Sequence, residues 1–172
     1  MKRLATLLVL LITACSGPSQ PPANNAAATP ATLPLVIRTA KGVQRFDVEV
    51  ARTPQEQEKG LMFRKELPEN SGMLFPMDPP RTASFWMKDT LIPLDMIFIR
   101  TDGTIAFIGA KTIPYSRDPV SAGIPVAAVL ELAGGRAAEL GITQGARVQW
   151  GGCAVPERKI TTDLNFCPAA GQ

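Results

Sequence analysis

Two carboxylates stand where carboxylates are costly. Asp95 begins the apolar stretch Asp95-Met-Ile-Phe-Ile99 and, on strand alternation, shares a face with Ile97 and Ile99; Glu131 stands between Leu130 and Leu132. An unpaired charge in such a place costs several kcal/mol, so each carboxylate needs a partner or a task. One task would be an acid/base pair of the glycoside-hydrolysis kind, Asp95 with Glu131 and Asp89 beside them, in which different environments separate two carboxylate pKa values. The expected arrangement is quieter: buried ion pairs with Arg64, Arg81 or Lys88, and caps for the loops at 89–93 and 134–141.

The third chemical feature is Phe85-Trp-Met-Lys88. Alternation puts Phe85 and Met87 in the core and turns Trp86 and Lys88 the other way. A wide aromatic beside a lysine and carboxylates could stack on a sugar ring. A ligand site is therefore expected around Trp86, Lys88, Asp89, Asp95, Glu131 and Arg64. A hard cation held by Asp78, Asp89, Asp95 and Glu131 is the weaker alternative, and no metal or cofactor is expected.

Other chemistry is excluded by what is missing. The chain has no histidine, which removes Ser-His and Cys-His nucleophiles and the commonest zinc ligand. Gly141-Ile-Thr-Gln-Gly145 is followed by Ala-Arg and so is no phosphate loop, and Asp102-Gly103 lacks the acidic repeat of a calcium loop. Of the 18 basic and 15 acidic residues, Lys2 and Arg3 lie in a segment expected to be removed, leaving 16 against 15. Clustered cations for nucleic acid are not to be found in that balance.

The elements that must position these residues are short and mostly extended. Residues 35–39 and 44–50 read as a hairpin around Lys41-Gly42, with Phe46, Val48 and Val50 on one face. Thr53-Pro-Gln-Glu56 has the form of a capping box with proline at the first helical position, and Gly60 would end that helix. Further strands are expected at 73–75, 82–88, 95–100, 104–111, 126–132 and 146–150, with Thr101-Asp102-Gly103 as a hairpin turn, 111–125 as a long loop and 136–140 as one helical turn. The fold class is mainly β: a compact sandwich or barrel, jelly-roll-like, with one or two short helices.

Before and after this domain the composition changes. Met1-Lys-Arg3 and an apolar run over 4–13, too short to span a bilayer, form a secretory signal over 1–14. Leu11-Ile-Thr-Ala14-Cys15 resembles a bacterial lipobox, which implies a lipid on Cys15. Residues 15–34 carry five prolines among small polar residues and read as a tether. The domain follows at 35–152, and the tail at 153–172 holds Cys153 and Cys167, read as a disulfide in an exported protein. The location expected is the periplasmic side of a membrane, the outer one if the cell is Gram-negative.

Glu58-Lys-Gly-Leu-Met62 with Arg64, Gly72-Met-Leu-Phe75, Phe85-Trp-Met-Lys88, Ile92-Pro-Leu-Asp95, Gly103, Leu130-Glu-Leu132 and Gly134-Gly135 together resemble the bacterial and archaeal family named domain of unknown function 192, over about residues 36–150. Asp89 departs from the asparagine usual in that family. The resemblance implies a compact β domain with small helices, and it implies no activity. The function expected from sequence is a lipid-anchored envelope module that binds a carbohydrate, a peptidoglycan fragment or a partner protein, with an envelope hydrolase using Asp95 and Glu131 as the alternative.

Overall fold

The computed structural model describes residues 32–158, 160 and 162–168. The expected signal, Cys15 and nearly all of the tether lie outside the described residues. The chain runs Leu33–Thr39 (β1), Gly42–Val50 (β2), Pro54–Lys59 (α1), Ser71–Phe85 (β3), Leu94–Ile99 (β4), Ile105–Thr112 (β5), Val120–Ala133 (β6), Arg136–Leu140 (α2) and Arg147–Trp150 (β7). All seven strands form one sheet in the order β5-β4-β6-β3-β2-β1-β7. The protein is mainly β, a curled half-barrel with two short helices, as the alternating pattern requires. β1 begins two residues inside the segment expected to be tether, because Leu33 pairs with Val48 and is buried.

The sheet curls until its two ends meet. Thr104, just before β5, bridges Arg147 of β7, and the Ile105 and Val148 amides donate to the Ala146 and Gly103 carbonyls. Residues from every strand, among them Leu35, Phe46, Leu74, Ile97, Ile105, Leu130 and Val148, fill the core on one face. A second core lies on the other face of the three central strands, β3, β4 and β6. It is built from Phe75, Met96, Phe98 and Val129 and covered by Leu61 and Met87. Strands buried on both faces explain why β4 and the end of β6 read as almost unbroken apolar runs.

Two expectations change. The strand at 73–75 is the start of a 15-residue β3 that ends at Phe85, so Lys88 lies in a turn. The long loop at 111–125 is only half loop, since 120–125 belong to β6 and pair with 82–85 of β3. Pro76, Pro79, Pro80 and Pro125 hid this ribbon, because proline cannot donate to a ladder. The register shifts between Pro76 and Arg81 show how the pair accommodates them. The capping box is present as read: the Glu56 amide donates to Thr53 Oγ1, and Glu56 Oε2 accepts from the amides of Thr53 and Arg52.

The tail after β7 is fastened. Phe166 stacks on Trp150 at 4.0 Å between ring centroids, the two residues exchange backbone hydrogen bonds, and Cys153 is joined to Cys167. Closing a loop of 14 residues stabilises by about 3 kcal/mol in the chain-entropy account. Reduction, or Cys153→Ser, is therefore expected to lower the urea unfolding free energy by about that amount. An unchanged midpoint in reductant would mean that the tail contributes nothing to the stability of the sheet.

Candidate functional site

Glu131 is the residue that the fold leaves without a companion. In β6 it lies between Met73 of β3 and Met96 of β4, its cross-strand neighbours on either side, so it faces the second core. β3 approaches it closely: a Cβ on Gly72 would stand 2.6 Å from the Glu131 carbonyl oxygen, which is why that position has no side chain. Glu131 is 4% exposed. Among the described residues no hydrogen bond or ion pair reaches its carboxyl group, whose oxygens are therefore not fully enclosed, since every fully enclosed side-chain oxygen and nitrogen there has a partner. Burial alone pushes its pKa from the ordinary 4.5 up to about 8, so at neutral pH it is mostly protonated.

The reason Glu131 can remain without a protein partner is that it lines a cavity of about 400 Å³. Phe75, Met77 and Phe85 of β3 form one wall, and Leu61 and Met62, just after α1, form another. α1 is held to β3 by Gln57, whose Nε2 donates to the Ala51 and Pro76 carbonyls and whose Oε1 accepts from Arg81. Gly60 ends the helix at φ 46°, and a Cβ there would stand 3.3 Å from the Phe75 ring. Trp86 belongs to the same cavity and is 48% exposed. Lys88 Nζ lies 5.8 Å from the Trp86 ring centroid, within cation-π range, and 4.0 Å from Asp89.

Asp95 does something else. It is wholly buried, and its carboxylate accepts three backbone amides: Lys111 (2.7 Å) and Gly135 (2.9 Å) on Oδ1, and Ala137 (2.8 Å) on Oδ2. It thereby joins the end of β5 to the first turn of α2, where Gly135 takes φ 97°. Asp95 and Glu131 do not form an acid/base pair. Asp95 is opposite Leu132, while Glu131 is opposite Met96, so their side chains leave opposite faces of the sheet.

The cationic partners expected for these carboxylates are engaged elsewhere. Arg64 makes a two-pronged pair with Glu49 at 2.5 and 2.6 Å, beside a different cavity. Arg81 reaches Gln57, and Lys88 covers Trp86. Asp89 has φ 51°, a left-handed conformation that Asp and Asn adopt more readily than most residues, and its carbonyl accepts from the Phe63 amide. Its side chain is accordingly explained by a turn. Asp78 is exposed, and among the described residues no three His, Cys, Asp or Glu side chains converge to hold a metal ion.

The structure thus brings Glu131 and Trp86 together, with Lys88 and Asp89 beside Trp86, and separates Asp95 and Arg64 from them. Glu58 and Lys59, which also line the cavity, were not among the expected site residues, and Arg81 was expected there only as an ion-pair partner for the carboxylates. The Gly60 stop and the apolar Leu61-Met62 after it hinted that the end of α1 packs onto the sheet, where it lies against Phe75.

The family model described as "Uncharacterized ACR", that of domain of unknown function 192, matches residues 36–150. The chain belongs to this family. A crystal structure of a protein of unknown function from Novosphingobium aromaticivorans DSM 12444 shares 43% identity over 77% of this chain and 94% of its own, with a TM-score of 0.70. Another, from Sinorhizobium meliloti 1021 and described as a "putative transcription regulator", shares 38% identity over 71% and 95%, with a TM-score of 0.68. No curated protein matches the chain. These two structures share the fold of this domain of unknown function 192 chain, and the cavity around Glu131 is the feature from which its chemistry can be argued.

Proposed function

We propose that the protein is a lipid-anchored envelope module whose β domain binds a small ligand in the Glu131 cavity, a peptidoglycan fragment being the class best suited to it. The observation that carries this reading is a buried carboxyl group with no protein partner, lining a cavity of about 400 Å³ beside a half-exposed tryptophan. Sites for small ligands have this size, and a lining in which Leu61, Phe75 and Phe85 share the wall with Glu58, Lys59, Arg81 and Glu131 suits a ligand with both apolar and charged parts. The lipobox-like Leu11-Ile-Thr-Ala14-Cys15, the proline-rich segment behind it and the Cys153–Cys167 disulfide suit an exported protein. No helix among the described residues is long and apolar enough to cross a membrane, so the anchor in this reading is the lipid on Cys15. The transcription-regulator description belongs to the relative. Here α1 has six residues and α2 five, and the basic and acidic residues nearly balance, which favours an envelope ligand over DNA.

The chain has two tryptophans, Trp86 half exposed at the cavity and Trp150 buried under Phe166. A disaccharide-tetrapeptide muropeptide is expected to change the fluorescence of the protein saturably. In Trp86→Phe the signal should disappear, leaving only the Trp150 emission. If muropeptides and envelope glycans leave the emission of the parent untouched, the binding reading fails.

A further inference from the structure

From the surroundings of Glu131 we infer that the end of the ligand taken into the cavity is a primary ammonium on an aliphatic arm, paired with the Glu131 carboxylate, and that the arm's outer end carries a carboxylate. This deepens the binding reading and rests on it.

The cavity has the complementary parts. Apart from Glu131, its charged lining residues are Glu58 and Lys59 of α1 and Arg81 of β3, and none of them is in an ion pair among the described residues. The cross-strand neighbours Met73 and Met96 carry no charge, and Arg64 is committed to Glu49. Lys59 and Arg81 line the same cavity, but neither they nor any other cation among the described residues is paired with Glu131. A buried carboxylate gains most from a partner that brings its own opposite charge and fills the space. Leu61, Met62 and Met77 offer an apolar path for methylene groups, while Phe75, Phe85 and Trp86 offer rings to a cation. Around the same cavity Arg81 and Lys59 can take a carboxylate, and Glu58 an additional amine. A diamino acid of a peptide stem presents such a combination, an ammonium at the tip and a carboxylate behind it.

Proton balance gives the inference its signature. The empty site holds Glu131 mostly protonated at pH 7, the entering ammonium requires the carboxylate, and the displaced proton goes to solvent. A ligand offering a hydrogen-bond acceptor would instead keep the proton on Glu131 and release none.

Isothermal titration calorimetry with 6-aminohexanoate, in two buffers of different ionisation enthalpy, separates the cases. The expected result is release of close to one proton at pH 7, a Kd that falls about tenfold per pH unit between pH 6 and 7, and affinity weakened about a hundredfold at pH 8 in Glu131→Gln. N-acetyl-6-aminohexanoate, which lacks the charge, should bind far more weakly. Equal binding of the acetylated probe, binding without proton release, or no binding of 6-aminohexanoate at tens of millimolar overturns the assignment. If 6-aminohexanoate fails while the muropeptide still changes Trp86 fluorescence, the ammonium assignment falls and the binding reading stands. If both are silent, both fall.

Discussion

Asp95→Ala is expected to destabilise the domain by about 3–5 kcal/mol, a large share of the roughly 5–15 kcal/mol that holds a typical domain folded. The variant removes the acceptor of three amides at once, those of Lys111, Gly135 and Ala137. These amides belong to the end of β5 and the start of α2, and the carboxylate between them has no exposure, so water cannot take its place without opening the structure. A buried donor left without an acceptor costs about 1–3 kcal/mol. Asp95→Asn should fall between parent and alanine variant, because its amide oxygen can still accept from two donors while its NH2 group must face the third. Urea unfolding followed by circular dichroism reads both. A loss below about 1 kcal/mol for Asp95→Ala would mean that the three amides find other acceptors, and that Asp95 does not hold the two elements together.

Glu131→Gln should act in the opposite direction. Its folded pKa is raised, so between pH 4.5 and about 8 the unfolded chain gives up a proton that the folded protein keeps. Stability therefore falls as pH rises through that window, by about 1.4 kcal/mol per pH unit and so on the order of 3 kcal/mol by neutral pH. Glutamine is nearly the same size and has no charge to lose. The variant should match the parent near pH 4.5 and exceed it increasingly up to pH 8, all other titrating groups being common to both. Measured at pH 5 and pH 8, a stability difference that does not change with pH would show that Glu131 is solvated or paired in solution. A glutamate retained here at a cost to stability is what a ligand site predicts.

Much of this was legible in the sequence because it is local. The capping box at Thr53, the turn at Asp102-Gly103 and the alternation in β2 each depend on neighbours a few residues away, and each appears in the structure. Asp95 and Glu131 stood out as carboxylates in apolar runs. What alternation could not supply was register between strands. A one-residue offset in the β4–β6 pairing decides whether the two carboxylates share a face, and no local signal encodes it. The same limit applies to Arg64: its spacing from Glu49 says nothing until the loop after α1 folds back across β2. The prolines of β3 and β6 misled for a different reason, since they argue against a strand unless the partner shifts register to receive them.

β7 lies at one end of the sheet, and the end of a sheet normally offers a bare row of amides and carbonyls to any extended chain that drifts past. Here that row is already spoken for. The Val148 amide donates to Gly103, and the Trp150 amide and carbonyl are taken by Phe166. The stretch that follows the last strand, which adds no strand of its own, thus acts as a doorstop against edge-to-edge aggregation, and the Cys153–Cys167 bond keeps it in place. Cutting that bond frees the stretch that covers Trp150, and leaves the last part of the edge open to another extended chain.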